Sequence, residues 1–90
     1  MKLKVMTPLR TIVDENISSV ILPAKNGEMN VLAGHDLAVA VLKSGRLGYK
    51  KEEETSYNHV QIGEGCAEIA HEHVMVFTLK AEKIENHTGG

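Results

Sequence analysis

Apolar and polar residues alternate from the first positions of the chain. Leu3 and Val5 fall on one face and Lys2 and Lys4 on the other, the pattern of a half-buried strand. Thr7-Pro8 breaks it, residues 10–13 read as a second short strand, and Asp14-Glu15-Asn16 closes that strand. Residues 17–22 are apolar and largely β-branched, and Pro23, which cannot donate to a ladder, is expected to stop them. Lys25-Asn26-Gly27 has the chemistry of a tight turn, with Asn-Gly accepting positive φ. Residues 28–32 form the return strand and residues 33–36 a loop.

Residues 37–42, Leu-Ala-Val-Ala-Val-Leu, are apolar on both faces. With Gly34 before and Gly45 after, six residues are too few for a helix, so the segment reads as a strand. Further short strands follow over 46–50, 57–62, 66–69 and 74–79. Between them lie a charged tip at 51–56, Gly63-Glu64-Gly65 and His71-Glu72-His73. Lys80 onward reads as a frayed tail. Short strands at this spacing predict an all-β sandwich or flattened barrel. A strand in such a sandwich normally turns one face to water. The wholly apolar segment 37–42 therefore has two readings: a neighbouring strand or loop covers it, or Ala38 and Ala40 form a flat surface where another protein packs.

Ninety residues make one domain, small enough that folding hides only about two thirds of the unfolded chain's surface. Ten basic and twelve acidic residues leave a charge of −2, which argues against nucleic acid, whose binding is mostly phosphate neutralisation. Tyr49, Tyr57 and Phe77 are the only aromatics, so a base-stacking platform is missing too. The one cysteine cannot form an internal disulfide, which favours a reducing compartment. No apolar run approaches the ~20 residues needed to cross a bilayer as a helix, and the alternating N-terminus lacks a signal peptide's apolar block.

Candidate chemistry is sparse. There is no phosphate-cradling loop and no dinucleotide glycine fingerprint. His71 and His73 share a strand parity, as paired metal ligands can, but no cysteine cluster backs them and they read as a solvated turn. Cys66 has no neighbour in sequence to activate it and reads as a buried small hydrophobe. No cofactor, metal or catalytic residue is expected.

One stretch is specific to a family. Val20-Ile21-Leu22-Pro23, Gly27-Glu28, Val31-Leu32, Gly34-His35 and Leu42-Lys43-Ser44-Gly45-Arg46-Leu47 follow one pattern in order and spacing. It resembles the amino-terminal domain of the epsilon subunit of F-type ATP synthases, called delta in mitochondria. The opening Met1 to Pro8 is similar as well. So are Ile62 to Ile69, Val74 to Phe77 and Ala81-Glu82 near the other end. The resemblance implies a flattened two-sheet sandwich of about ten short strands, spanning residues 1–82, with 83–90 as a short flexible tail.

It also implies a non-catalytic central-stalk subunit that binds the gamma subunit and rests on the ring of c subunits. Such a subunit meets the membrane only through the complex, on the cytoplasmic face of a bacterial inner membrane or on an organellar one. By similarity, Glu28, Gly34 and His35 would face the c-ring, and Leu37, Ala38, Val39, Ala40 and Leu42 would face gamma. Three departures stand out. Ala33 replaces a frequent Pro, Glu64-Gly65 replaces Gly-Gly, and Cys66 replaces a large apolar residue. The chain also ends before the two-helix carboxy-terminal domain of many relatives, so neither a brake on hydrolysis nor ATP binding is expected. Two readings from other classes stand beside this one: a free-standing sandwich adaptor, and a small metal- or thiol-dependent enzyme using His71, His73 or Cys66.

Overall fold

The computed structural model describes residues 1–84. They form nine strands: β1 (Lys2–Met6), β2 (Thr11–Ala24), β3 (Gly27–Leu32), β4 (Ala38–Leu42), β5 (Gly45–Lys51), β6 (Asn58–Ile62), β7 (Gly65–Ile69), β8 (His73–Thr78) and β9 (Ala81–Ile84). The architecture is a β-sandwich built around β2. Its first half pairs with β1, which continues through β8 and β7 to β4. Its second half lies between β3 and β5, and the second sheet runs on through β6 to β9. A single pair, Ala24 with Leu42, ties β4 back to β2.

At 14 residues β2 is far longer than the usual ~5–6. The sequence suggested two strands here, with Asp14-Glu15-Asn16 as the break. The ladder instead runs through those residues, because Asp14 is exposed beside Lys2 (3.1 Å) and half-buried Glu15 reaches Lys51 (3.7 Å). The register slips between Ile17 and Ser19 on the β5 side. Such a bulge adds the local twist that lets one strand leave one sheet for the other.

Pro23 does not end β2 either. Its carbonyl accepts a hydrogen bond from the Lys43 amide (2.9 Å), so its backbone faces β4 rather than β3. The missing N–H therefore falls on a side where the ladder holds only one pair, and the β2–β3 ladder is untouched. Gly27, at φ 127°, closes the turn between those two strands.

The core is aliphatic, as expected from a chain with three aromatics. Leu3, Val5, Val20, Leu22, Leu47 and Val76 are among the fully buried residues, drawn from both sheets. Tyr49 joins them, and its hydroxyl is held above the usual pKa by burial and then by the nearby Glu15 and Glu54 carboxylates. The sheet also extends past the expected boundary at 82. Residues 81–84 pair with β6 from Ile62 back to His59, so Lys83 and Ile84 belong to the sandwich. The rest of the expected tail, 85–90, lies outside the described residues.

Candidate docking surface

The pairing of β4 decides which face each of its residues takes. Ala38, Ala40 and Leu42 stand opposite Ile69, Ala67 and Gly65 of β7, and Ile69 and Ala67 are fully buried. These three residues of β4 therefore point inward: the alanines pack half-buried on the core and Leu42 is 1% exposed. The outward face carries Val39 and Val41, 74% and 59% exposed, with Leu37 at 74% just before the strand. Of the two readings of this segment, the one in which Ala38 and Ala40 form the outer surface is corrected, and so is the expectation that Leu42 faces gamma, since Leu42 lies in the core. With every position apolar, sequence alone could not say which parity faces the core.

The exposed apolar surface continues across the sheet. Val41 stands opposite Cys66, Cys66 opposite Phe77, and Phe77 opposite Met6. Cys66 is thus exposed, not buried as expected, because Ala67 and Ile69 hold the inward parity of β7. Phe77 is 42% exposed for the same reason, with Val74 and Val76 inside. The sequence reading missed Phe77 and Met6, because β8 carries apolar residues at both parities and its outward face is legible only from the pairing. Beyond this row a groove of about 490 Å³ is lined by Met6, Pro8, Phe77 and Leu79. The next row, Val39-Glu68-Met75-Lys4, is mixed, and Glu68 Oε1 lies 3.3 Å from Nε2 of His73.

The polar candidates flank β3. At about 3.3 Å per residue, its six residues place Glu28 and the Gly34-His35 loop at opposite ends of a strand roughly 20 Å long. Glu28 is exposed and, among the described residues, makes no ion pair. It shares a groove of about 520 Å³ with Met29, Val39, Ala40 and Val41, so one polar candidate and the outer face of β4 meet in space. Gly34 adopts φ 88°, a conformation that favours glycine, and its amide donates to the His71 carbonyl (2.8 Å). That bond ties the loop to the β7–β8 turn. His35 is half-buried, with Nδ1–H donating to the Asp36 carbonyl (2.6 Å), which fixes the tautomer of the neutral ring. His71 is exposed in its turn, and among the described residues no three His, Cys, Asp or Glu side chains converge in a metal-ligating set.

A two-sheet sandwich with a bare apolar strand running into a polar edge has the chemistry of a protein-docking module. The comparisons make the class specific: the chain belongs to the family described as ATP synthase, Delta/Epsilon chain, beta-sandwich domain, which matches residues 1–84. It is 38% identical over 81 residues to the ATP synthase epsilon chain of Lawsonia intracellularis, covering 90% of this chain and 59% of that relative. The epsilon chain of Bacillus subtilis is 32% identical over 84 residues, with coverages of 93% and 62%. The chain thus spans about three fifths of the length of these curated relatives. Among solved structures it resembles a chain of the Euglena gracilis mitochondrial ATP synthase assembly comprising OSCP, F1 and c-ring. The TM-score is 0.82 at 26% identity, over 90% of this chain and 51% of that one. A chain of the Tetrahymena thermophila mitochondrial ATP synthase central stalk and c-ring shares the fold, with TM-score 0.76 at 13% identity over 91% and 65%.

Proposed function

We propose that this domain is a non-catalytic part of the central stalk of an F-type ATP synthase. It docks the gamma subunit onto the c-ring and so helps couple ion-driven rotation to ATP synthesis elsewhere in the complex. The complex sits at the cytoplasmic face of a bacterial inner membrane or at an organellar one. The observation that carries this reading is the outward parity of Val39 and Val41 on one side of a groove whose other wall holds Glu28, with Leu37 exposed just before the strand. Gamma covers the apolar row of β4, and the c-ring meets Glu28 and the Gly34-His35 loop.

Energetics separate the two contacts. Burying an exposed Val or Leu side chain contributes about 1.5–3 kcal/mol before the costs of association. An exposed pair between Glu28 and a cation contributes about 0–1 kcal/mol. Affinity therefore comes from β4, and the β3 side sets orientation.

The test is calorimetric binding of the purified domain to the gamma subunit of the same organism. Val39→Glu places a charge on the outer face without entering the core and is expected to weaken binding about 100-fold or more, which is ~2.7 kcal/mol. Binding by the parent domain that Val39→Glu leaves intact would reject β4 as the docking strand. No binding by the folded parent would reject the rotor role and leave a free-standing adaptor as the better reading.

A further inference from the structure

We propose that one end of the sandwich binds anionic phospholipid headgroups directly, adding a membrane-surface contact to the one the complex supplies. Five connections meet at this end: 7–10, 25–26, 43–44, 63–64 and 79–80. Backbone bonds tie them together, with the Lys25 amide donating to the Val41 carbonyl (2.8 Å), Lys43 to Pro23 (2.9 Å) and Gly63 to Lys80 (3.0 Å). They carry Arg10, Lys25, Lys43 and Lys80 against one acid, Glu64. Glu28, Arg46 and Glu82, one residue into their strands, reduce this excess without cancelling it. The connections at the other end, 33–37, 52–57 and 70–72, carry Asp36, Glu52, Glu53, Glu54 and Glu72 and no Lys or Arg. The ion pairs of Lys2 with Asp14, Lys51 with Glu15 and His73 with Glu68 also lie toward that acidic end. Arg10, Lys25, Lys43 and Lys80 are exposed and, among the described residues, make no ion pair. A chain of net charge −2 is thus polarised along its strands.

Charge alone would describe a solvated end, but two leucines do not fit that reading. Leu9 and Leu79, 93% and 79% exposed, are the barest large apolar side chains among the described residues, and both stand here. Neither sits on a loose loop. The Thr7 hydroxyl donates to the Arg10 carbonyl (3.2 Å) and accepts from the amides of Leu9 (3.3 Å) and Arg10 (3.2 Å). The Thr78 oxygen accepts from the Lys80 amide (3.4 Å) across Leu79. Each threonine therefore fixes a turn that holds a leucine out. The two leucines share a groove of about 420 Å³ with Arg10 and Lys80. Apolar tips among unpaired cations match the bilayer interface, where the acyl boundary takes the leucines and the phosphates take the cations. Cations spread over four separate turns suit a continuous layer of phosphates better than one discrete anion.

The experiment is flotation of the full chain with vesicles of phosphatidylcholine, alone or mixed with phosphatidylglycerol, at matched salt. Each Lys or Arg near an anionic surface strengthens binding about fivefold, so the mixed vesicles are expected to bind about tenfold or more tightly. Lys25→Gln with Lys43→Gln is expected to remove most of that preference. Glu53→Gln with Glu54→Gln, at the other end, is expected to leave it unchanged. The chain has no Trp, so Leu9→Trp supplies a single reporter. Its emission is expected to shift to the blue on mixed vesicles, while that of Leu37→Trp, at the acidic end, stays in place. Equal binding to both vesicle types, or none, would overturn the contact. A preference that the lysine variant keeps, or a shift at Leu37 and not at Leu9, would overturn its location. Displacement by inorganic phosphate at constant ionic strength would overturn the bilayer in favour of a discrete phosphate site. Vesicles hold no other subunit, so each of these results leaves the rotor assignment standing.

Discussion

Gly65 is the position where the sandwich has least room, and replacing it tests the packing argument directly. It lies in β7 with Leu42 of β4 on one side and Thr78 of β8 on the other. A Cβ added there would stand 2.0 Å from the Phe77 carbonyl oxygen, 3.0 Å from its carbon and 3.1 Å from Thr78 Cα. Non-bonded carbon atoms prefer about 3.5–4.0 Å, so the overlap exceeds ~1 Å, and backbone rather than a flexible side chain must move. Strands spaced ~4.8 Å apart cannot absorb that without lengthening ladder bonds. Overpacking of this kind costs about 1–3 kcal/mol, occasionally more. A Gly→Ala change returns ~0.4–1 kcal/mol by restricting the unfolded chain, so the net loss for Gly65→Ala is about 1–2 kcal/mol. For a domain of this size that lowers the melting temperature by ~4–16 °C. Gly63→Ala is the matched control: its Cβ would meet Lys80 Cβ and Thr78 Oγ1 at 3.6 Å, an ordinary contact, at a φ that is not positive. It is expected to be neutral or stabilising by up to ~1 kcal/mol. Both variants are compared by urea and thermal unfolding followed by circular dichroism. Equal stabilities, within ~0.5 kcal/mol, would refute the claim that Gly65 is required by the approach of β8.

The Thr78 hydroxyl lies 3.0–3.1 Å from the carbonyls of Gly63, Glu64 and Lys80 and is buried. Thr78→Val keeps the shape but removes the one hydroxyl proton these carbonyls share and the oxygen that accepts from the Lys80 amide (3.4 Å), and a loss of ~1–3 kcal/mol in urea unfolding is expected; an unchanged midpoint would remove the hydroxyl from the fold's support. Tyr49 gives a pH prediction. Its folded pKa is raised above the unfolded value near 10, so its contribution is complete below about pH 10 and is lost as pH rises through the folded pKa. The parent should therefore lose stability on the alkaline side more steeply than Tyr49→Phe, and superimposable alkaline limbs would contradict this. Ala40→Glu, unlike Val39→Glu, places a carboxylate toward the core and is expected to unfold the domain at lower denaturant; equal midpoints for the two would mean that the parity of β4 is misassigned.

Much of the fold is local and could be read from the chain. Period-two alternation placed β1 and β5, because Leu3 and Val5, and Leu47 and Tyr49, share one face, and Asn-Gly marked the turn into β3. The elements that resisted reading lacked a local signal. β9, Ala-Glu-Lys-Ile, is a strand because β6 offers it a ladder, not because its residues favour one. The polar run at 14–16 stays in β2 because Lys2 and Lys51, distant in sequence, stand beside it. The candidate site divides in the same way. The apolar run 37–42 stood out from its residues alone, whereas Glu28, Gly34 and His35 stood out only through the resemblance to epsilon chains. Whether alanine or valine faces outward was decided by pairing with β7, since a one-residue change of parity exchanges the two faces and the sequence there is apolar either way. The same pairing carried the exposed surface on to Cys66, Phe77 and Met6, three strands that only the tertiary structure sets side by side.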